Sequence, residues 1–224
     1  MYFLLKKKVY FRTLLFSIVF FTFLFLPAGS LHFWEAWIYF VIFFGSTFFI
    51  TGYFLKRDPE LIERRSHAKE KEKEQKMFQS ISGITFFVGL LVLPGLDYRF
   101  GWSNIPLFIV LIADVVILLG FSIVFLVFKE NSYTSAIIEV SENQKVISTG
   151  PYALVRHPMY TGAIFIILFT PLALGSIWAL IPSISIIIFI VLRLLNEEKV
   201  LLKELQGYEE YCKKTRYHLI PHIW

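Results

Sequence analysis

The stretch Met159–Leu192, MYTGAIFIILFTPLALGSIWALIPSISIIIFIVL, carries no charged side chain from end to end. An uncharged run of about 20 residues is the mark of a membrane-spanning helix, and this run is longer than one simple span requires. Pro171, Gly175 and Ser176 lie near its middle and are typical of a turn. The stretch therefore predicts a tight hairpin of two helices. Its first arm, Met159–Thr170, is short, so the hairpin is expected to cross the bilayer fully or to re-enter it.

Uncharged runs also precede the hairpin along the chain. They are Thr13–Leu31, Ala36–Leu55, Met77–Leu96 and Phe100–Phe128, of which the last is interrupted only by Asp114. The composition agrees with a membrane protein, because 56% of the residues are hydrophobic and only 17% are charged, which is below the charged share of an ordinary soluble domain. The expected fold is an all-α integral membrane protein with about six transmembrane helices, the last two forming the tight hairpin.

The distribution of Lys and Arg predicts the orientation of these helices. Arg99 is the only one of the 22 Lys and Arg residues that falls on its side of the predicted membrane. The positive-inside rule therefore places both termini in the cytoplasm. The corresponding membrane is the cell (inner) membrane in a prokaryote or the endoplasmic reticulum in a eukaryote. The alternating charges of Arg64–Lys76 favour a solvated helix or flexible loop, with contact to lipid headgroups as the alternative.

Two cationic residues, Arg156 and His157, come directly before Pro158, which suits the first turn of a helix. Cations at this position oppose the helix dipole, which is positive at the N-terminus. A bound anion, such as the carboxylate or phosphate of a ligand, would relieve that opposition. The alternative is that Arg156 contacts lipid headgroups and His157 is a plain cap. The sequence leaves both interpretations open.

Charged residues within or beside the predicted membrane helices, and the tyrosines of the tail, are the next candidates. Arg193 and Glu197 lie four residues apart on one helix face, so they form either an intrahelical ion pair or a pair that points into a cavity. Asp114 lies at membrane depth, where an acid is either functional or paired structurally. A tail helix beginning at Asn196 is expected to pack on the membrane surface or under the bundle, with its tyrosines as interfacial anchors: Tyr208 and Tyr211.

The segment Gly150–Gly162, GPYALVRHPMYTG, makes a family resemblance recognisable. Together with Arg193, Glu197-Glu198 and the tail motif Tyr208-Glu209-Glu210-Tyr211, it resembles the isoprenylcysteine carboxyl methyltransferase family. Phospholipid methyltransferases and sterol reductases are related membrane enzymes. The resemblance runs from about Glu130 to Trp224 and implies a scaffold of four helices in residues 1–128 and a catalytic region in residues 129–224.

The resemblance implies that S-adenosylmethionine is the cofactor and that it binds in a cytosolic pocket outside any Rossmann fold. The matching cofactor-binding positions are Glu139, Gln144, Lys145, Val146, Ile147, Tyr152, His157, Pro158, Met159, Tyr160 and Glu197. Arg193 matches the residue associated with the methyl acceptor, so Arg193 and Glu197 are the expected catalytic residues. A metal site is not expected, because the histidines are scattered and Cys212 is the only cysteine.

The function expected from this resemblance is transfer of a methyl group to a lipophilic acceptor that enters from the bilayer, most simply a carboxylate of the prenylcysteine kind. Phospholipid or other amine methylation is an alternative, and it would need a base such as Glu198 or Asp114. A reductase would need a nicotinamide phosphate site, for which only the basic residues of Lys56–Lys76 are available. A small transporter or lipid-binding protein is the non-enzymatic alternative. Membrane lipids are the expected surroundings, and nucleic acid is not an expected partner.

Overall fold

The computed structural model describes residues 2–67, 73–134, 137–138 and 144–224. Helices are the only regular secondary structure in these residues. The helices are α1 (Tyr2–Ala28), α2 (Trp34–Arg57), α3 (Pro59–His67), α4 (Lys73–Phe87), α5 (Leu93–Phe100), α6 (Leu107–Glu130), α7 (Pro158–Ala173), α8 (Leu180–Glu204) and α9 (Tyr208–Lys214). A π-helical turn, Val88–Val92, joins α4 and α5 into one continuous helix, and a short 3₁₀ turn, Gly150–Ala153, precedes α7.

Five helices of the described residues are long and apolar enough to cross a membrane, which confirms the all-α membrane fold. They are Leu4–Ala28, Trp34–Arg57, Gln79–Phe100, Leu107–Glu130 and Leu180–Glu204. The remaining predicted helix, the first arm of the hairpin, is α7, and its 16 residues correspond to roughly 24 Å at about 1.5 Å per residue. The hairpin of α7 and α8 turns at Gly175, whose φ of 68° lies in the left-handed region that a side chain disfavours.

Three predicted helix starts differ most from the structure. The first helix begins at Tyr2 instead of Thr13, because basic side chains at its start do not interrupt a helix that extends beyond the membrane. The fourth begins at Leu107 instead of Phe100, because Gly101 ends the preceding helix in a left-handed conformation. Asn196 lies inside α8, so the separate tail helix is the shorter α9.

The two ends of the bundle differ in charge. At one end, the guanidinium of Arg12 in α1 donates a hydrogen bond to the Ser66 carbonyl of α3 at 3.3 Å. At the same end, the backbone N–H of Arg156 donates a hydrogen bond to the Tyr217 carbonyl of the C-terminal tail at 2.8 Å. At the other end, the buried Asp97 carboxylate accepts a hydrogen bond from the Ser176 hydroxyl at 2.5 Å. The start of α1 and the C-terminal tail therefore lie at the same end of the bundle, opposite Asp97. Which compartment that end faces stays a prediction.

Close packing of α6 against α7 fixes the position of α7. A Cβ atom on Gly120 would lie 2.8 Å from the carbonyl oxygen of Gly162, and the reverse distance is also 2.8 Å. Real Cβ atoms essentially never approach a backbone oxygen this closely, so the contact requires glycine on both helices. Because Gly162 lies two residues beyond Tyr160, this crossing sets where the start of α7 sits relative to α6.

Candidate active site

A cavity of ≈ 260 Å³ lies at the N-terminal end of α7, beside the last turns of α8 and the start of α9. It is at the cation-rich end of the bundle. The structure brings together on its walls the predicted site residues that it describes: Gln144, Lys145, Val146, Ile147, Tyr152, His157, Pro158, Met159, Tyr160, Arg193 and Glu197. Glu139, the remaining predicted residue, lies outside the described residues.

Tyr160 connects α7 to the two predicted catalytic side chains of α8. Its hydroxyl donates a hydrogen bond to Glu197 Oε2 at 2.5 Å, and the guanidinium of Arg193 also hydrogen-bonds to this tyrosine. Arg193 and Glu197 are one helical turn apart and therefore share the face of α8 that looks toward α7. The structure thus places a cation and an anion together on the cavity wall, next to a polar hydroxyl.

The cations at the start of α7 have a partner within the protein. Arg156 Nε lies 2.8 Å from Glu198 Oε1, and His157 Nε2 lies 3.7 Å from the same oxygen. His218 of the C-terminal tail lies 2.7 Å from Glu198 Oε2. The anion that the sequence suggested at this helix start is therefore supplied for Arg156 by Glu198 of α8. His157, with only 5% of its surface exposed, still lines the cavity.

Burial affects the titration of the tail histidine. It lowers the pKa of the His218 imidazole, although the neighbouring Glu198 carboxylate acts in the opposite direction. His218 also stacks on Trp224, with ring centroids 4.7 Å apart. That stack lies within the tail, and the tail is fixed against α8 by the Glu198 carboxylate and against α7 by the Thr161 hydroxyl, which donates a hydrogen bond to the Leu219 carbonyl at 2.8 Å.

Tyr152 forms a second wall of the cavity. Its hydroxyl accepts a hydrogen bond from the Asn131 side chain at 3.0 Å, and its carbonyl accepts one from the Tyr211 hydroxyl at 2.7 Å. Burial raises the pKa of Tyr152 to about 12, so the phenol is neutral near pH 7 and can donate a hydrogen bond to a ligand. The loop before α7 is therefore held to both α6 and α9.

The sequence predicted Tyr208 and Tyr211 as interfacial anchors, and this prediction is wrong. Each side chain is only 4% exposed, and both line the cavity. Leu201 and Leu205 line the same cavity, so the apolar face of this part of the chain points inward. Asp114 lies away from the cavity, on the core side of α6, where its neighbours include the hydrogen-bonded pair Tyr39–Thr170.

Arg65 of α3 is the functional candidate that sequence reasoning missed. It lies in the segment of alternating charges that was interpreted as solvated, yet its side chain lines the cavity. The guanidinium carbon is 4.7 Å from the centroid of the Phe128 ring. Nothing in the local sequence separates Arg65 from its charged neighbours, so only the fold could identify it.

A model of a known protein family matches part of the chain. Residues 108–207 match the sequence model of a family described as phospholipid methyltransferase, and this family includes the isoprenylcysteine carboxyl methyltransferases. The match confirms the resemblance found in the sequence. The matched range contains residues 108–130 of α6, all of α7 and α8, and every predicted site residue. No curated protein matches the chain significantly.

Proposed function

We propose that this chain transfers a methyl group from S-adenosylmethionine to a carboxylate of a lipophilic acceptor in the bilayer, because residues 108–207 match the model of the phospholipid methyltransferase family, which is a family of membrane methyltransferases. The arrangement of Arg193, Tyr160 and Glu197 on one cavity wall carries the proposal. It offers a cation for an acceptor carboxylate at the place where a lipid head group would meet a soluble cofactor.

The residues of the cavity fit the cofactor in charge. The cavity volume of ≈ 260 Å³ lies just below the range of ordinary ligand pockets, which is roughly 300–1,000 Å³. S-adenosylmethionine would be held by residues 144–147 and 157–160, with Tyr152 and Glu197 beside it. Glu197 suits its ammonium group, and the cationic side chains of the cavity suit its carboxylate. When bound, the cofactor supplies a methyl group that its sulfonium already activates.

For the acceptor, the protein needs to supply little more than correct positioning. A carboxylate is ionised at neutral pH and needs no general base. Arg193 can hold it through two parallel hydrogen bonds, which fixes the direction of its oxygens. Correct alignment of the reacting groups can by itself lower the barrier by about 7–11 kcal/mol. Orienting the acceptor is therefore a sufficient catalytic role for the Arg193 guanidinium.

The surroundings of the available bases favour a carboxylate acceptor over an amine. An amine must lose a proton, and Glu198 and Asp114 were the bases that the sequence offered for that step. Glu198 is engaged by Arg156 and His218, and Asp114 does not line the cavity. Among the described lining residues, Glu197 is the one carboxylate, and the Tyr160 hydroxyl already hydrogen-bonds to it.

Alkali treatment of the methylated product tests this function. Membranes that contain the protein are incubated with S-adenosylmethionine labelled in its methyl group, and the lipid fraction is treated with mild base. A methyl ester releases the label as volatile methanol, whereas an N-methyl group retains it. We expect volatile label, strongly reduced in Arg193→Lys and unchanged in Arg216→Lys, whose exposed side chain is the matched control.

Two results would contradict the proposal. Label that stays in the lipid after base treatment would identify an amine or phospholipid methyltransferase. An absence of label in lipid from membranes that hold the folded protein would remove the carboxyl methyltransferase function.

A further inference from the structure

Asp114 interrupts the apolar surface of α6, and the chemistry proposed above does not use it. The residue lies within the membrane-spanning helix Leu107–Glu130, and only 3% of its surface is exposed. Among the described residues, none donates a hydrogen bond to either oxygen of its carboxyl group. An ionised carboxylate in this position would lose its hydration without replacement, which is strongly unfavourable.

Asp97 shows how the same protein holds an ionised carboxylate away from water. It is also buried, with 2% of its surface exposed. Three donors reach its two oxygens: the Ser103 backbone N–H at 2.7 Å, the Ser103 hydroxyl at 2.6 Å and the Ser176 hydroxyl at 2.5 Å. Hydrogen bonds of this kind stabilise the charged form of a carboxyl group. Because Asp114 has no such donors among the described residues, we expect the two buried aspartates to differ in protonation.

The hydroxyl protons near Asp114 are committed to other acceptors. Thr170 of α7 donates its single hydroxyl proton to the Ile166 carbonyl at 2.7 Å. The hydrogen bond of 2.9 Å between Tyr39 and Thr170 therefore uses the proton of Tyr39. Tyr39, which is an electrostatic neighbour of Asp114, can then offer it only the lone pairs of its oxygen. A lone pair repels a carboxylate and tolerates a neutral acid, so the orientation of these hydroxyls favours the neutral form.

Among the described residues of α2, α6 and α7, which meet at this point, no Lys or Arg lies near Asp114. The basic residues of α2 and α6 lie in the last turns of those helices: Lys56, Arg57 and Lys129. Lys129 is roughly 22 Å from Asp114 along α6, at about 1.5 Å per residue. The sequence of α7 contains neither Lys nor Arg. Glu35, one helical turn before Tyr39 on the same face of α2, adds an acid rather than a compensating cation.

We propose that Asp114 is a proton-binding site in the membrane core, at which the folded protein holds the side chain as a neutral carboxylic acid. The proton is the ligand of the junction where Asp114 of α6, Tyr39 of α2 and Thr170 of α7 come together. It stabilises this junction by removing a charge that the surroundings do not compensate. Since Thr170 lies in the last turn of α7, the junction supports the end of that helix opposite the cavity. The inference does not depend on the proposed methyl transfer.

The small number of aspartates allows a direct test by NMR. The chain contains three of them, Asp58, Asp97 and Asp114, so protein labelled with ¹³C at the aspartate side-chain carboxyl gives three carboxyl resonances. At pH 7 we expect one resonance at the chemical shift of a protonated carboxyl and two at that of a carboxylate. The protonated resonance should disappear in Asp114→Asn. It should remain in Asp58→Asn, the matched control, because Asp58 lies just before α3, outside the membrane core.

A pH series of melting temperatures tests whether the proton stabilises the fold. An aspartate in the unfolded chain is ionised above about pH 4, whereas we expect folded Asp114 to keep its proton. The folded state then binds more protons than the unfolded state, so its stability falls as the pH rises. Asp114→Asn is neutral at every pH and has nearly the same shape. We therefore expect the melting temperature of the wild type to fall relative to that of Asp114→Asn as the pH rises above about 4, and Asp58→Asn to follow the wild type.

Three carboxylate resonances in the wild type at pH 7 would overturn the proposal without any variant. A protonated resonance that persists in Asp114→Asn would overturn it as well, because the proton would then belong to another aspartate. If Asp114→Asn does not fold, Asp114→Leu provides the assignment, since it removes the labelled carboxyl and leaves no polar group to bury. A wild type and Asp114→Asn with the same pH dependence of the melting temperature would contradict the stabilising role of the proton.

Discussion

The hydroxyl of Tyr160 lies between the two α8 side chains that carry the proposed chemistry. The sequence predicted that Arg193 and Glu197 share a face, because four residues make about one helical turn. It could not choose between an ion pair within α8 and a pair that faces a cavity, since that depends on which helix packs opposite. In the structure α7 packs opposite this face of α8, so Tyr160 contacts both side chains and both line the cavity.

Substitutions at these two positions are expected to have different effects. Glu197→Gln should weaken binding of S-adenosylmethionine, because the amide loses the charge that attracts the cofactor's ammonium. Arg193→Lys should keep cofactor affinity near normal and reduce methyl transfer by roughly tenfold or more, since lysine retains the charge but loses the forked hydrogen bonds. Cofactor affinity, turnover and melting temperature measured for both variants provide the check.

Glu204→Gln and Arg216→Lys are matched controls for these two variants, because both residues are exposed at the same end of the molecule. The controls should resemble the wild type in all three measurements. If Glu197→Gln and Arg193→Lys lose melting temperature alone, with unchanged affinity and turnover in the folded protein, then the two residues are structural and leave the site.

His218 predicts a dependence of stability on pH. Its folded-state pKa is lowered by burial from an unfolded value of about 6.5, so the folded protein favours the neutral imidazole. This contribution to stability is complete above the unfolded pKa and is lost as the pH falls through the folded pKa. We therefore expect the melting temperature to decrease as the pH falls below the unfolded pKa of about 6.5, and to decrease less in His218→Gln.

The exposed His222 provides the comparison for that experiment. His222→Gln should keep the full pH dependence of the wild type. An identical acid decrease in His218→Gln and the wild type would show that other groups, such as the carboxylate of Glu198, are responsible.

Residues such as Arg65 mark where sequence reasoning reaches its limit. The predicted cofactor residues could be found because they lie in a compact motif before and within α7. Arg65 lies far from that motif in the sequence, in a run of charges whose local pattern predicts solvation. Its place in the cavity depends on how α3 packs beside Phe128.

At the scale of elements, the crossing of α6 and α7 determines the geometry of the cavity. The number and order of the apolar helices were predictable from uncharged runs and from the turn residues of the hairpin. The helix ends were less predictable, because charged residues continue α1 beyond the membrane and Gly101 stops α5 within an uncharged run. The contact between Gly120 and Gly162 was not predictable, because it is a pairing across helices.

Gly162→Ala is expected to disturb the site from a distance. The added methyl group would lie 2.8 Å from the Gly120 carbonyl oxygen, so α7 must move away from α6. Overpacking of this kind costs about 1–3 kcal/mol, and the shift should carry His157 and Tyr160 with it. We therefore predict a lower melting temperature together with weaker binding of S-adenosylmethionine.

The control for this change is Gly83→Ala, because a side chain at Gly83 meets open space. It should leave both quantities at their wild-type values. A Gly162→Ala protein with normal stability and normal cofactor affinity would show that the crossing tolerates a methyl group and does not position the start of α7.

At the scale of the whole molecule, the cavity, α3 and both termini share one end of the bundle, and Asp97, Arg99 and the hairpin turn lie at the other. We predict that the cavity end faces the cytoplasm, where S-adenosylmethionine is available. Reporter fusions after Trp224 and within the turn at Gly29 provide the measurement. A cytoplasmic signal from the first and an external signal from the second are expected, and the reverse pattern would contradict this topology.

Calorimetric titration of S-adenosylmethionine into the purified protein tests most directly whether the cavity at the start of α7 is a cofactor site. The account predicts saturable binding by the wild type, weakened by about tenfold or more in His157→Ala, which removes a buried polar wall residue. His32→Ala, at an exposed position near the opposite end of the bundle, should bind like the wild type. No binding by the wild type, or equal affinity in wild type and His157→Ala, would contradict the account.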